Sequence, residues 1–177
     1  MIQRKQSIFL LLAAISLVFC FAFPMATFTA KAPLGVPVSG ALNLLPKDNP
    51  ELMNEILNGQ PVTMGQKGFI KTWPLMVLTL VGIAIALVSI FLYKNRPTQI
   101  KVVAVGFLLT VVDIFLIFIW AVDKYIKAVT TPMACTDIHT HYALGAFLPI
   151  VAAIFFFLAQ RSIKADEEKV RAADRLR

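Results

Sequence analysis

The chain has 177 residues, 58% of them hydrophobic, and a mean hydropathy of +0.76. Soluble domains contain about 45–50% apolar residues, so this composition excludes an ordinary soluble domain and indicates an integral membrane protein. The net charge of +7 alone would suit a nucleic-acid-binding protein, but eleven of the seventeen Lys and Arg residues fall in segments that we predict to be cytoplasmic. This is the positive-inside distribution, so no nucleic-acid partner is expected.

The chain starts with a short basic segment followed by an uncharged, apolar one. Arg4 and Lys5 precede an apolar run of 16 residues from Ile8 to Phe23. A cleaved signal peptide is one interpretation because small residues follow this run, but the apolar region of a signal peptide has only about 7–15 residues. Three later spans also need a fourth if both termini are to stay on the basic side of the membrane. We therefore predict a retained first span at about residues 7–26.

Residues 27–72 form the longest polar segment and are rich in proline and glycine. These residues break helices, so the sequence predicts an external loop with turns and allows a short pair of strands. Within the loop, Asn49 can cap one small helix, Pro50 suits its first turn, and Gly59 ends it. We expect an ordinary amphipathic loop helix here.

Two apolar runs of 21 residues each, Trp73–Tyr93 and Val102–Val122, flank a basic turn at residues 94–101. Each run would form a helix of about 30 Å, the thickness of the hydrocarbon core of a bilayer. The turn carries three cations and no acid, which predicts a transmembrane hairpin with its turn in the cytoplasm. The helix predicted at Trp73–Tyr93 carries a face of small residues, which favours close helix packing in lipid. This face consists of Thr79, Gly82, Ala86 and Ser89.

A second external loop is predicted at residues 123–141, followed by a fourth span at about residues 142–160 with a kink at Pro149. The charged tail, residues 161–177, contains no Gly or Pro. Two pairs of opposite charge at i,i+4 spacing predict that the helix continues through this tail. They are Lys164–Glu168 and Glu167–Arg171.

Together these segments predict a single domain, residues 1–177, of the all-α membrane class. The domain is an antiparallel bundle of four transmembrane helices with an ordered external loop and a helical cytoplasmic extension. Both termini are predicted to lie in the cytoplasm, because the cations concentrate in the segments on that side.

Asp113 lies near the middle of the third span. An aspartate there costs about 2.5–3.5 kcal/mol on insertion scales, and intramembrane acids are candidates for functional sites. No Lys or Arg lies inside an apolar run to pair with it, so we predict a protonated, hydrogen-bonded carboxyl, with Thr110 one turn away and Ser16 at matching depth. Its first possible role is functional: the carboxyl would carry protons or coordinate a substrate. Its second is structural: the carboxyl would join helices through hydrogen bonds that average about 0.6 kcal/mol. We favour the second role, because transport paths usually have several ionisable groups.

Four potential metal ligands alternate along the second external loop. They are Cys135, Asp137, His139 and His141. An extended strand would place all four on one face, and each can bind zinc or copper. Structural zinc sites usually draw their ligands from two separated pairs, whereas this is a single run. We therefore favour a polar loop and predict no metal and no cofactor.

Other chemistries find no support in the sequence. Both histidines lie outside the spans, which excludes a transmembrane bis-histidine haem. The chain has no Gly-rich phosphate loop, no His-Glu-x-x-His and no Gly-x-Ser-x-Gly motif. We expect that the protein is not an enzyme.

The cytoplasmic turn and tail carry the residues that we predict to contact proteins or lipids. A cation near an anionic membrane surface gains about 1 kcal/mol, although topology alone also explains the basic turn. Acids interrupt the basic run of the tail, which suggests a helix that faces a protein. The predicted contact residues are Lys94, Arg96, Gln99, Lys164, Arg171, Arg175 and Arg177.

Three groups of residues at the predicted cytoplasmic ends occur together in one known family. They are Met1–Arg4 with Leu10–Ala13, Tyr93–Ile100 in the turn, and Ile163–Glu167, Val170–Arg171 and Asp174–Arg177 in the tail. On these motifs the chain resembles the domain of unknown function 4293 family, and the resemblance covers the whole chain in the order of its elements. It implies a bacterial inner-membrane protein with four spans, and it brings no activity and no catalytic residues.

The sequence leaves three functions open. The one we favour is a non-enzymatic accessory or scaffolding subunit that binds other proteins through its tail, its first loop or both, since patterned polar residues concentrate at the ends of the chain. The second is a small proton-linked transporter centred on Asp113. The third is an external metal-binding protein that uses the four alternating ligands.

Overall fold

A computed structural model describes residues 3–31, 37–45, 62–64, 72–130 and 136–175. In chain order the elements are α1 (Gln3–Phe19), β1 (Ala26–Lys31), β2 (Pro37–Leu42), β3 (Val62–Met64), α2 (Trp73–Phe91), α3 (Arg96–Phe115), α4 (Val122–Thr130), β4 (Thr136–Tyr142) and α5 (Leu144–Arg175). A short 3-10 turn, Leu92–Lys94, joins α2 to α3, and a π-helical segment, Leu116–Ala121, joins α3 to α4. The described part of the protein is mostly helical and contains one small sheet.

Within the described residues, three helical segments are long and apolar enough to cross a membrane, as judged by length and composition. They are Trp73–Phe91, Arg96–Ala128 and Leu144–Val170. The apolar part of α1, Gln6–Phe19, is shorter, about 21 Å at 1.5 Å per residue. Three helices of the described chain could therefore span a membrane, and the antiparallel bundle of four spans stays a prediction.

Helix α1 ends before the predicted end of the first span. The helix stops at Phe19, and residue 26, where we predicted the end, is the first residue of β1. Pro24 explains the stop, because proline has no N–H to donate and disfavours helical geometry in the residue before it. The Ala22 and Phe23 N–H groups donate to the Phe19 carbonyl at 3.0 and 3.2 Å, which turns the chain toward the strand.

The segment predicted as the second external loop contains a helix and a strand. The helix that contains the third span continues past residue 122 through α4, where Lys127 pairs with Asp123 at 2.8 Å. This i,i+4 pair favours the helix. Strand β4 occupies residues 136–142, and α5 then runs through Pro149 to Arg175. The tail is therefore helical, as predicted.

The chain forms two compact units. Unit 1 comprises Met1–Val18, Leu78–Asp113 and Leu148–Arg177, and unit 2 comprises Phe19–Val77 and Ile114–Phe147.

Unit 1 has a core to which α1, α2, α3 and α5 all contribute. The core residues are Leu10, Ala13, Ala14, Leu17, Ala86, Val103, Ala152, Phe156, Ala159 and Ile163. Half of them are alanines, and small residues let helices approach closely where lipid supplies no hydrophobic drive. Gly106 illustrates this closeness, because a Cβ added there would lie 2.9 Å from both the Ile85 Cγ2 and the Phe156 ring.

Unit 2 contains a four-stranded sheet in the order β3-β2-β1-β4. Strand β1 is antiparallel to both β2 and β4, and β3 runs parallel to β2. The strand pair that the sequence allowed is therefore part of a larger sheet, and the protein is not purely α-helical. The sheet needs β4 from the segment predicted as the second external loop, so its strands are far apart in the chain. The small helix predicted near Asn49 and Gly59 lies outside the described residues.

The two central strands of the sheet, β1 and β2, are buried on one face only. Ala26, Phe28 and Ala30 alternate as buried residues along β1. The ring of Phe28 packs edge-on against Tyr125 of α4, with ring centroids 5.7 Å apart. This period-two burial is what an antiparallel sheet with one covered face requires.

Candidate functional site

The most distinctive polar site in unit 1 joins Asp113 of α3 to Thr79 of α2. Both residues are 2% exposed, and the Thr79 hydroxyl donates to the Asp113 Oδ2 at 3.1 Å. The other carboxyl oxygen, Oδ1, is buried and has no hydrogen-bond partner within the described residues. The predicted intramembrane carboxyl is thus buried and hydrogen-bonded to a second helix.

The other two hydroxyls predicted near Asp113 bond to backbone within their own helices. The Thr110 hydroxyl donates to the Gly106 carbonyl at 2.8 Å, and the Ser16 hydroxyl donates to the Leu12 carbonyl at 2.9 Å. This is the usual way in which Ser and Thr satisfy their hydroxyls inside helices. The sequence placed Thr79 only on a face of small residues and missed its bond to Asp113, because no local pattern indicates which hydroxyl of a neighbouring helix will meet the carboxyl.

A second polar cluster in unit 1 ties the tail to the other helices. Gln6 of α1 donates a hydrogen bond to the Asp166 carboxylate, and Arg96 donates to the Asp166 carbonyl at 3.5 Å. Nearby in sequence to Arg96, Gln99 donates to the Ser89 carbonyl at 2.8 Å. The sequence missed the roles of Gln6 and Asp166, because nothing local indicates that residues so far apart in the chain will meet.

The predicted contact residues of the turn and tail therefore have different roles. Gln99 is buried, and Arg96 bonds to the tail backbone. Lys164 is exposed on α5, and Lys94 lies in the turn before α3. Arg171 and Arg175 belong to α5, whereas Arg177 lies outside the described residues.

Three of the four alternating metal-ligand candidates lie in strand β4 of unit 2 and are exposed. They are Asp137, His139 and His141. His139 is opposite Thr29 and His141 is opposite Thr27 in the register with β1. Asp137 has a positive φ of 52° and forms an ion pair with Lys31 at 3.2 Å. No group of three or more His, Cys, Asp or Glu residues that could hold a metal occurs within the ranges that the structure describes. Cys135 is outside those ranges.

We expect the hydroxyl–carboxyl bond to couple Thr79 and Asp113 energetically. In a double-mutant cycle of Thr79→Val and Asp113→Ala, the coupling free energy should be about 0.6 kcal/mol, the average for such bonds between membrane helices. Thermal or chemical unfolding of the purified protein in detergent would measure it. Asp113→Asn keeps an oxygen that can accept the bond and should change stability by less than Asp113→Ala.

Thr110→Val is the matched control for that cycle. Because the Thr110 hydroxyl donates to a carbonyl of its own helix, its coupling to Asp113→Ala should stay below about 0.3 kcal/mol. Equal coupling for Thr79 and Thr110 would contradict the assigned bond.

One family model matches almost the whole length of this sequence. The model is Domain of unknown function (DUF4293), and it matches residues 2–176. A comparison with curated proteins gives no match. The motifs at the turn and tail, the apolar helices between them and the extent of this match lead to one conclusion: the chain belongs to the DUF4293 family.

Proposed function

We propose that the protein is a non-enzymatic accessory or scaffolding subunit of a membrane protein complex, and that its tail binds a protein partner. The single observation that carries the proposal concerns Val170 of α5. This apolar residue continues a stripe of buried residues, Phe156, Ala159, Ile163 and Asp166, but is itself 45% exposed. A stripe of this kind usually continues only as far as it has something to pack against.

The stripe lies along one face of α5 at alternating spacings of three and four residues. Phe156, Ala159 and Ile163 are fully buried in the core of unit 1, and Asp166 is nearly so. The next position at this spacing is Val170. One more turn of helix therefore presents the same face with an apolar side chain available to a partner.

The charges around Val170 favour a protein partner. Glu167, Glu168 and Lys169 give the preceding turn both signs of charge. A membrane surface selects for cations alone, whereas mixed charges suit the complementary rim of a protein interface. The bonds from Gln6 and Arg96 to Asp166 hold the helix in place before this point, so a partner would meet a pre-ordered surface and lose less entropy on binding.

We further propose that the protein lies in the bacterial inner membrane with both termini in the cytoplasm. The concentration of cations at the turn and tail supports this orientation under the positive-inside rule, and the three apolar helical segments support insertion. Reporter fusions at the two ends would test the orientation, and signals from opposite sides of the membrane would refute it.

Co-purification after mild detergent extraction tests the partner. Val170→Asp places a charge on the uncovered stripe, and we expect it to lower recovery of the co-purified protein at least tenfold, or about 1.4 kcal/mol. A photo-crosslinking residue at position 170 in intact cells should capture the same protein. The level of the membrane protein itself should not change, because Val170 lies beyond the core.

Ala172→Asp is the matched control, since it adds the same charge on the opposite side of the same helix. Ala172 is exposed, so this variant should keep the partner. If the unmodified chain is recovered alone, or if both variants lose the partner equally, the proposal fails.

A further inference from the structure

The face of α5 that points away from the core of unit 1 carries a groove of about 380 Å³. The described residues that line it are Phe157, Gln160, Arg161, Lys164, Ala165 and Glu168. They recur at helical spacing on the side opposite Phe156, Ala159 and Ile163, which are buried. The groove is therefore separate from both the core and the Val170 stripe.

The groove changes from apolar to cationic along the helix. Ile154 and Phe157 are exposed apolar residues on this side, and Phe157 is 50% exposed. Arg161 follows Phe157 by one turn and Lys164 by two, which places them about 6 and 10 Å further along the axis. The polar region of a membrane leaflet is about 5–8 Å thick beyond the hydrocarbon. If Phe157 lies about 3 Å inside the hydrocarbon, Arg161 and Lys164 lie about 3 and 7 Å beyond its edge, at the depth of the headgroups.

The two cations are available to a ligand. Arg161 and Lys164 are exposed, and neither has a hydrogen-bond or ion-pair partner in the part of the chain that the structure describes. The predicted pair between Lys164 and Glu168 does not form there. The groove thus presents two positive charges against one carboxylate beside an apolar side chain.

We propose that this groove binds a phospholipid with an anionic headgroup, from the leaflet on the side of the tail. Arg161 and Lys164 donate to the phosphate oxygens, with the guanidinium able to make two parallel bonds. Phe157 packs against the upper part of an acyl chain. Charge complementarity selects this lipid over a zwitterionic one, and Glu168 limits the affinity. This site is independent of the proposed protein partner, which uses the opposite face of α5.

Lipid binding to the purified full-length protein in detergent tests the proposal. Native mass spectrometry would compare phosphatidylglycerol with phosphatidylcholine, and we expect the first to bind more tightly. Replacing Arg161 and Lys164 together by glutamine should weaken the binding of phosphatidylglycerol about 30-fold, or about 2 kcal/mol at 1.4 kcal/mol per tenfold. Glu168→Gln should tighten it about fivefold.

Two further variants separate a built site from general surface charge. Lys101 and Lys169 are exposed cations outside the groove, and replacing both by glutamine removes the same charge but should weaken the lipid less than about threefold. Ala165→Trp fills the groove and should abolish tight binding. Because all these side chains are exposed, unchanged melting temperatures are expected and would show that the variants fold.

The competing outcomes are distinct. Equal losses in the groove and control variants would mean nonspecific surface attraction and would overturn the proposal. If phosphatidylcholine bound as tightly as phosphatidylglycerol, the two cations would not select the headgroup and the proposal would be wrong. Displacement of the lipid by millimolar inorganic phosphate would identify a simple anion site with no contribution from Phe157.

Discussion

Replacing Gly145 by alanine should lower the free energy of unfolding by about 3 kcal/mol, at the upper end of the usual cost of overpacking. A Cβ at this position would lie 2.5 Å from the Pro24 carbonyl oxygen and 2.6 Å from the Phe23 carbonyl oxygen. Both atoms belong to backbone, so no side chain can rotate out of the way. The same corner is held by the Gly145 N–H, which donates to the Pro24 carbonyl at 2.9 Å.

The Gly145→Ala substitution should also strain hydrogen bonds that anchor the sheet of unit 2. The Ala143 N–H donates to the Met25 carbonyl at 2.9 Å, and the Met25 N–H donates to the Leu42 carbonyl at 2.7 Å. Moving the Phe23–Pro24 backbone would strain these bonds, which join the start of β1 to its two neighbouring strands. A melting curve followed by circular dichroism in detergent should shift down by about 6–12 °C.

Gly82→Ala is the matched control. Gly82 also lies in a helix, but a Cβ there would meet only the Leu17 Cδ1, at 3.1 Å. This is the end of a flexible side chain, and alanine also gains about 1 kcal/mol over glycine in helix propensity. We expect Gly82→Ala to be close to neutral. If the Gly145→Ala variant had the same melting temperature as the unmodified protein, the close approach of Gly145 to the Phe23 and Pro24 carbonyl oxygens would be contradicted.

Phe156→Ala should destabilise the protein by about 3–5 kcal/mol, the cost of removing a fully buried phenylalanine. The side chain is completely buried in the core of unit 1, where its ring lies against Gly106. Truncation leaves a cavity between helices whose contacts are set by small residues and cannot easily close. Unfolding in detergent by denaturant would measure the loss, and the slope of the transition should not change.

The neighbouring phenylalanine provides the control. Phe157 is half exposed on the side of α5 that faces away from the core, and its ring contacts Phe107 with centroids 6.3 Å apart. Phe157→Ala removes a similar ring but opens no enclosed cavity, so the cost should stay near 1 kcal/mol. Equal costs for Phe156 and Phe157 would contradict the assignment of the inward and outward faces of α5.

Much of the helical structure follows from local information. Apolar runs of 21 residues around a basic turn predicted the helices that became α2 and α3, and the tail without Gly or Pro predicted the extension of α5. Helix formation depends on residues three and four positions apart, so a short window of sequence contains most of the signal. The burial of Asp113 was predictable for the same reason.

The sheet and the polar contacts required the tertiary structure. Strand β1 pairs with β4, more than one hundred residues away, and no short window contains such a pairing. Thr79 rather than Thr110 donates to Asp113, and Gln6 finds Asp166, because helix packing decides which side chains meet.

By itself, the sequence therefore determined the presence of long apolar helices that could span a membrane, the helical tail and the presence of a buried acid, since hydropathy and helical periodicity are local properties. Only the tertiary structure decided the four-stranded sheet, the partner of that acid and the two faces of α5, since each depends on residues that are distant in the chain and become neighbours only when the helices and strands pack.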